Sequence, residues 1–68
     1  MEYSRAALVE AKRQIDSTLH KLRETVKTLE GREPGRYKPQ ITLAKRRIQA
    51  FTIAAALIAR ELERSGQS

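Results

Sequence analysis

The 68-residue chain contains no cysteine and no tryptophan. Without thiols it forms no disulfide, binds no metal through thiolate and has no thiol nucleophile, and its redox compartment is left open. Aromatic residues make up only 4%, too few for the aromatic and β-branched cross-strand packing that a small β-barrel uses. Proline and glycine are also scarce, at two and three residues, so long stretches contain nothing that breaks a helix. The longest apolar run, residues 50–59, is interrupted by Thr52, whereas a bilayer span needs roughly 20 residues. Met1-Glu2-Tyr3-Ser4-Arg5 lacks the apolar core of a secretion signal, and a cytoplasmic location is expected. A mass of 7.8 kDa leaves room for one small domain and none for a nucleotide-binding α/β unit or a two-domain enzyme.

What is present reads as helix. Gly31, Pro34, Gly35 and Pro39 cluster in the middle of the chain, and Gly66 lies near its end. They delimit a first helix over about residues 4–30, a turn over 31–38, a second helix over about 39–64 and a flexible tail at 65–68, all within a single domain. Ser4 is placed to accept a backbone N–H as N-cap. Gly31 suits the left-handed position that ends a helix, and Pro39 suits a first helical position, where its missing N–H costs nothing.

The large apolar residues fall at three- and four-residue steps: Leu8, Ile15, Leu19, Leu22, Val26 and Leu29 in the first stretch, and Ile41, Ala44, Ile48, Phe51, Ala55, Ile58 and Leu62 in the second. Such steps form a heptad seam. In an antiparallel hairpin, facing residues have numbers with a constant sum. Leu8–Leu62, Ile15–Ala55, Leu19–Phe51, Leu22–Ile48, Val26–Ala44 and Leu29–Ile41 all sum to 70. Large residues face small ones at two of these rungs, the interdigitation that core packing favours. One rung sets Lys12 against Ile58; the lysine stem can lie along the seam with its ammonium in water. The expected fold class is therefore all-α, an antiparallel two-helix, coiled-coil-like hairpin.

A second apolar stripe on helix two, at Leu43, Ala50, Ala54 and Leu57 with Ile53 beside it, exceeds what one partner helix can cover, and residues 50–59 read as a buried helix. Ala7, Ala11, Thr18, Thr25 and Thr28 form a small-residue flank on helix one. Small scaffolds usually need a staple, and with no disulfide or evident metal site the expected one is self-association. The expectation is a homodimer of hairpins in a four-helix bundle, with an interface through Leu43, Ala50, Ile53, Ala54, Leu57, Ala7, Ala11 and Thr18.

Lys and Arg number 14 against 8 acidic residues, a formal charge of +6 with a pI near 10.3. Arg32, Arg36, Lys38, Lys45, Arg46 and Arg47, with Glu33 as the only acid between 32 and 47, give that segment +5 and leave +1 for the rest. A patch of this kind can contact phosphate backbones, as in a nucleic-acid- or ribosome-associated protein, or an acidic protein surface. Tyr37, between Arg36 and Lys38, is placed to stack on a base. The plainer reading is a solvated face, partly neutralised by Glu24 and Glu30.

No catalytic signature is present, and neither enzyme activity nor a cofactor is expected. The single histidine, His20, has Asp16 and Glu24 one turn away on either side. A metal site there would need such carboxylates, but exposed pairs at this spacing are far commoner. Gly31-Arg32-Glu33-Pro34-Gly35 lacks the Gly-Lys-Ser/Thr ending of a P-loop.

Ile-Asp-Ser-Thr-Leu-His-Lys-Leu at 15–22 and Gln-Ile-Thr-Leu-Ala-Lys-Arg-Arg-Ile-Gln-Ala at 40–50 resemble segments of short two-helix proteins of Gram-positive bacteria. The resemblance spans most of the chain and implies a bacterial helical hairpin, with no assigned activity. Length, basicity and Lys45-Arg46-Arg47-Ile48 are also similar to the small two-helix ribosomal protein beside the exit tunnel. Gln49-Ala50 stand where that family carries Ala-Arg, and the alanine-rich segment that follows departs from it.

Overall fold

Ser4 sets the start of the first helix. In the computed structural model, which describes residues 3–32 and 35–66, its backbone is extended, its Oγ accepts the Ala7 N–H at 3.1 Å and its carbonyl accepts the Leu8 N–H at 3.1 Å. One of the four N–H donors orphaned at a helix start, that of Ala7, is thereby satisfied, and the Leu8 bond is the first of the regular helix ladder. Helix α1 runs Arg5–Gly31 and helix α2 runs Lys38–Gly66. Among the described residues there is no strand.

Three boundary features differ from the sequence expectation. No described glycine has positive φ, so Gly31 is not a left-handed stop. It closes α1 as an ordinary helical residue, and Arg32 follows as the cap, its N–H donating to the Leu29 carbonyl at 3.3 Å. That three-residue bond tightens the last turn and takes over the role of a left-handed residue. Helix α2 opens at Lys38, with the Tyr37 carbonyl accepting from Ile41 N–H at 2.9 Å. Pro39 is therefore its second residue, still within the turn that lacks intrahelical donors. At its other end α2 continues through Gly66, two residues beyond the expected stop. Glu33 and Pro34 of the turn, and Gln67 and Ser68 of the tail, lie outside the described residues.

The seam is the core. Leu19, Val26, Ile41, Ala44 and Ala55 are buried, and Leu8, Ile15, Leu22, Leu29, Ile48, Phe51, Ile58 and Leu62 are half-buried. Near the turn, Val26, Ile41 and Ala44 form a cluster with Leu22, Leu29, Ile48 and Tyr37 packed against it. These are the rungs that the constant-sum register pairs. Lys12, opposite Ile58, is half-buried and its ammonium reaches the Asp16 carboxylate at 2.7 Å. Two polar clasps span the helices. Arg5 Nη1 donates to the Leu62 carbonyl at 3.0 Å near the C-terminal end of α2, where the helix dipole favours a cation. Lys45 Nζ lies 3.1 Å from Glu30 Oε2 nearer the turn.

The result is a rod of 51 × 17 × 15 Å with a radius of gyration of 15.3 Å, against roughly 11 Å for a compact domain of this length. No described side chain is fully enclosed, because two helices touch along one line. The seam is nevertheless the chain's main internal contact. Leu19 is only 5% exposed, so Leu19→Ala is expected to lower the unfolding free energy by about 2–5 kcal/mol. Val9→Ala, at a 48%-exposed site, should change it by no more than about 0.5 kcal/mol. Urea denaturation at matched chain concentration measures both, and equal effects would show that the seam is not the core.

Candidate interaction surface

Turning α2 away from α1 exposes what the seam leaves over. Leu43 is 49% exposed, Ile53 54% and Leu57 55%, and Ala50 is exposed as well. Leu43, Arg47, Ala50, Ala54, Leu57, Glu61 and Arg64 follow one another by steps of four and three, so they form a stripe beside the seam over most of α2. Ile53 and Arg46 border it on the side farthest from α1. Within a single hairpin, residues 50–59 are thus covered along one side only: Ala55 is buried, Phe51, Ala54, Ile58 and Ala59 are half-buried, and the rest are open. The apolar part of this stripe is legible in the amino-acid sequence. Its charged continuation through Arg47, Glu61 and Arg64 keeps the same step but lies outside a hydrophobic pattern.

The flank of α1 lies on the same face of the hairpin. Gln14, Ile15 and Thr18 line a shallow groove together with Phe51 of α2. Ala7 and Thr18 are exposed and Ala11 is half-buried. Thr25 and Thr28 donate their hydroxyls back to the Lys21 and Glu24 carbonyls, at 2.9 and 3.0 Å. Each hydroxyl has a bonding partner within its own helix, so these threonines carry no polar demand that a neighbouring helix must meet. Val9 and Tyr3 are exposed apolar residues outside this face.

The six basic residues of the turn region are all exposed, but they do not form one patch. Lys45, Arg46 and Arg47 are consecutive, so they fan round α2 by about 100° each. Lys45 turns toward α1 and pairs with Glu30, whereas Arg46 and Arg47 join the outer stripe. Arg32, Arg36 and Lys38 stay at the turn. Tyr37 is half-buried against the Val26–Ile41–Ala44 cluster, with the Arg36 guanidinium 5.8 Å from its ring centroid. The ring packs on the turn end of the core, so only part of it is open to stack on a base. Of the two acids expected to offset the basic patch, Glu30 does so; Glu24 pairs along its own helix with Lys27 at 3.7 Å.

His20 is exposed on α1. The carboxylate of Asp16 is held by Lys12 and that of Glu24 by Lys27. Among the described residues no group of three or more His, Cys, Asp or Glu is arranged to hold a metal, and no helix is long and apolar enough to cross a membrane. The chain matches no family model, no curated protein and no solved structure.

One carboxylate away from these surfaces has its acidity visibly altered. Arg13 donates to both oxygens of Glu10, at 2.9 and 2.7 Å, and Gln14 adds a third bond at 2.9 Å. Hydrogen bonding to the charged form, from Arg13 first and Gln14 second, lowers the Glu10 carboxyl from 4.5 to about 2. A folded-state value below the unfolded one means that this carboxylate favours the fold above pH 4.5 and ceases to as pH falls toward 2. The group is fully exposed, so the contribution is small and screened by salt. A carboxyl-detected NMR titration at low salt should find Glu10 protonating well below 4.5, and Arg13→Ala should return it toward the usual range. A midpoint near 4.5 in the unaltered protein would contradict the bidentate geometry.

Proposed function

We propose that this protein is a non-enzymatic interaction module that pairs with a second copy of itself, two hairpins assembling into a four-helix bundle. The observation that carries this reading is surplus surface. A compact monomer of 7.8 kDa exposes roughly 4,400 Å², whereas the hairpin presents 5514 Å². The excess, about 1,100 Å², is of the order that a specific interface removes from each partner, roughly 800 Å². Part of it is apolar and lies on one side of one helix, where Leu43, Ile53 and Leu57 are open. Exposed apolar residues gathered on one helix face, as Ala50, Ile53 and Leu57 are here, mark an association site. The threonine and alanine flank of α1, on the same face, allows close approach of a further helix.

Sedimentation and light scattering at micromolar concentration are expected to give twice 7.8 kDa. Leu57→Glu should shift the protein to a monomer, and Val9→Glu, an equally exposed apolar site off this face, should leave the dimer intact. A stable, well-folded monomer at these concentrations would overturn the reading.

The exposed Arg32, Arg36 and Lys38 at the turn support a second role, contact with the phosphate backbone of a nucleic acid or the ribosome. Under that role, a labelled single-stranded RNA binds at low salt, binding falls steeply as salt rises, and Arg32→Glu with Lys38→Glu abolishes it. Absence of binding at low salt would remove this role and leave self-pairing unaffected.

A further inference from the structure

We propose that the two copies meet through α2 in antiparallel orientation, on a two-fold axis passing close to Ala54. This rests on the self-pairing reading above and adds the orientation and the contacts. The outer stripe of α2 is complementary to its own reverse. Folding it back on itself about Ala54 sets Ala50 of one copy opposite Leu57 of the other, a small residue against a large one, and brings Arg46 and Arg47 to Arg60 and Glu61, with the Glu61 carboxylate between cations of both copies. A two-fold contact is isologous, so each pairing occurs twice. Leu43 then arrives at Arg64, beside a shallow hollow lined, among the described residues, by Leu57, Arg60, Glu61, Glu63 and Arg64.

Charge decides the orientation. A parallel contact would set Arg46 and Arg47 against their own copies, with no acid on that stretch of α2, and bring two turn segments, each carrying +5 over residues 32–47, to one end. Like charges facing each other across an interface are costly. The antiparallel contact sends the turns to opposite ends and gives Glu61 a cation from the second copy. The existing partner of Glu61, Arg64 at 3.2 Å one turn away, is itself widely exposed, so that pair holds the carboxylate only weakly. The contact from Leu43 to Arg64 extends over roughly 30 Å of helix, which suits the elongated shape of the hairpin.

The absence of native cysteine allows a direct test. Ala54→Cys, mildly oxidised at micromolar concentration, is expected to form a disulfide-linked dimer nearly quantitatively. Leu43→Cys and Arg64→Cys, each roughly 30 Å from its own symmetry mate, are not expected to do so alone, because a disulfide needs Cα atoms within about 7 Å. Mixing those two variants should yield the mixed dimer. Self-crosslinking of Leu43→Cys as readily as Ala54→Cys would overturn the antiparallel orientation. A dimer by sedimentation with none of these crosslinks would overturn the contact and leave self-pairing standing, whereas a monomer throughout would remove both. As a check that needs no cysteine, Glu61→Arg should weaken the dimer by roughly tenfold or more, and Arg46→Glu with Arg47→Glu in the same chain should restore it. Equal affinity in all three proteins would also overturn the contact.

Discussion

One helix can shelter only one stripe of another, and this limit governs the molecule. The seam from Leu8 to Leu29 covers the matching seam from Ile41 to Leu62, leaving Leu43, Ile53 and Leu57 about half exposed. The two helices account for nearly all described residues, and among the described residues none lies over this stripe. The self-pairing proposed above follows from that shortage of internal cover together with the surplus of exposed surface.

Charge is distributed in a way that complements the same geometry. Near the open end, Arg5 reaches the Leu62 carbonyl, and toward the turn Lys45 reaches Glu30. Such exposed pairs contribute little to stability, but they are spaced to hold register in a rod with a thin core. The outer stripe carries Arg47, bordered by Arg46, toward the turn and Glu61 with Arg64 toward its other end, on either side of an apolar centre. The net positive turn favours keeping two such turns apart, which is why orientation and charge are linked in a symmetric pair.

Much of the hairpin is legible in the amino-acid sequence. Ser4 has the chemistry of an N-cap and acts as one, and every residue of the constant-sum register is buried or half-buried. Periodicity suffices here because a two-helix contact has a single repeating unit and little else competes with it. The features that escaped depend on geometry that residue type does not encode. Gly31 permits a left-handed stop, yet the Arg32–Leu29 hydrogen bond closes the turn without one. Tyr37 stands between two basic residues, a context suggesting exposure, but its ring packs against Val26, Ile41 and Ala44. The basic run looked like one patch because its residues are neighbours in sequence; a helix separates such neighbours round its circumference. Glu61 falls outside the hydrophobic pattern, which has no place for a carboxylate.

Thermal unfolding followed by circular dichroism over a thousandfold range of chain concentration tests most directly whether a second copy completes the core. If the outer face of α2 is covered only on pairing, the midpoint must rise steadily with concentration by mass action. A midpoint independent of concentration, with a cooperative transition at the most dilute point, would mean that the single hairpin is sufficient by itself and that Leu43, Ile53 and Leu57 face water in the working state of the protein.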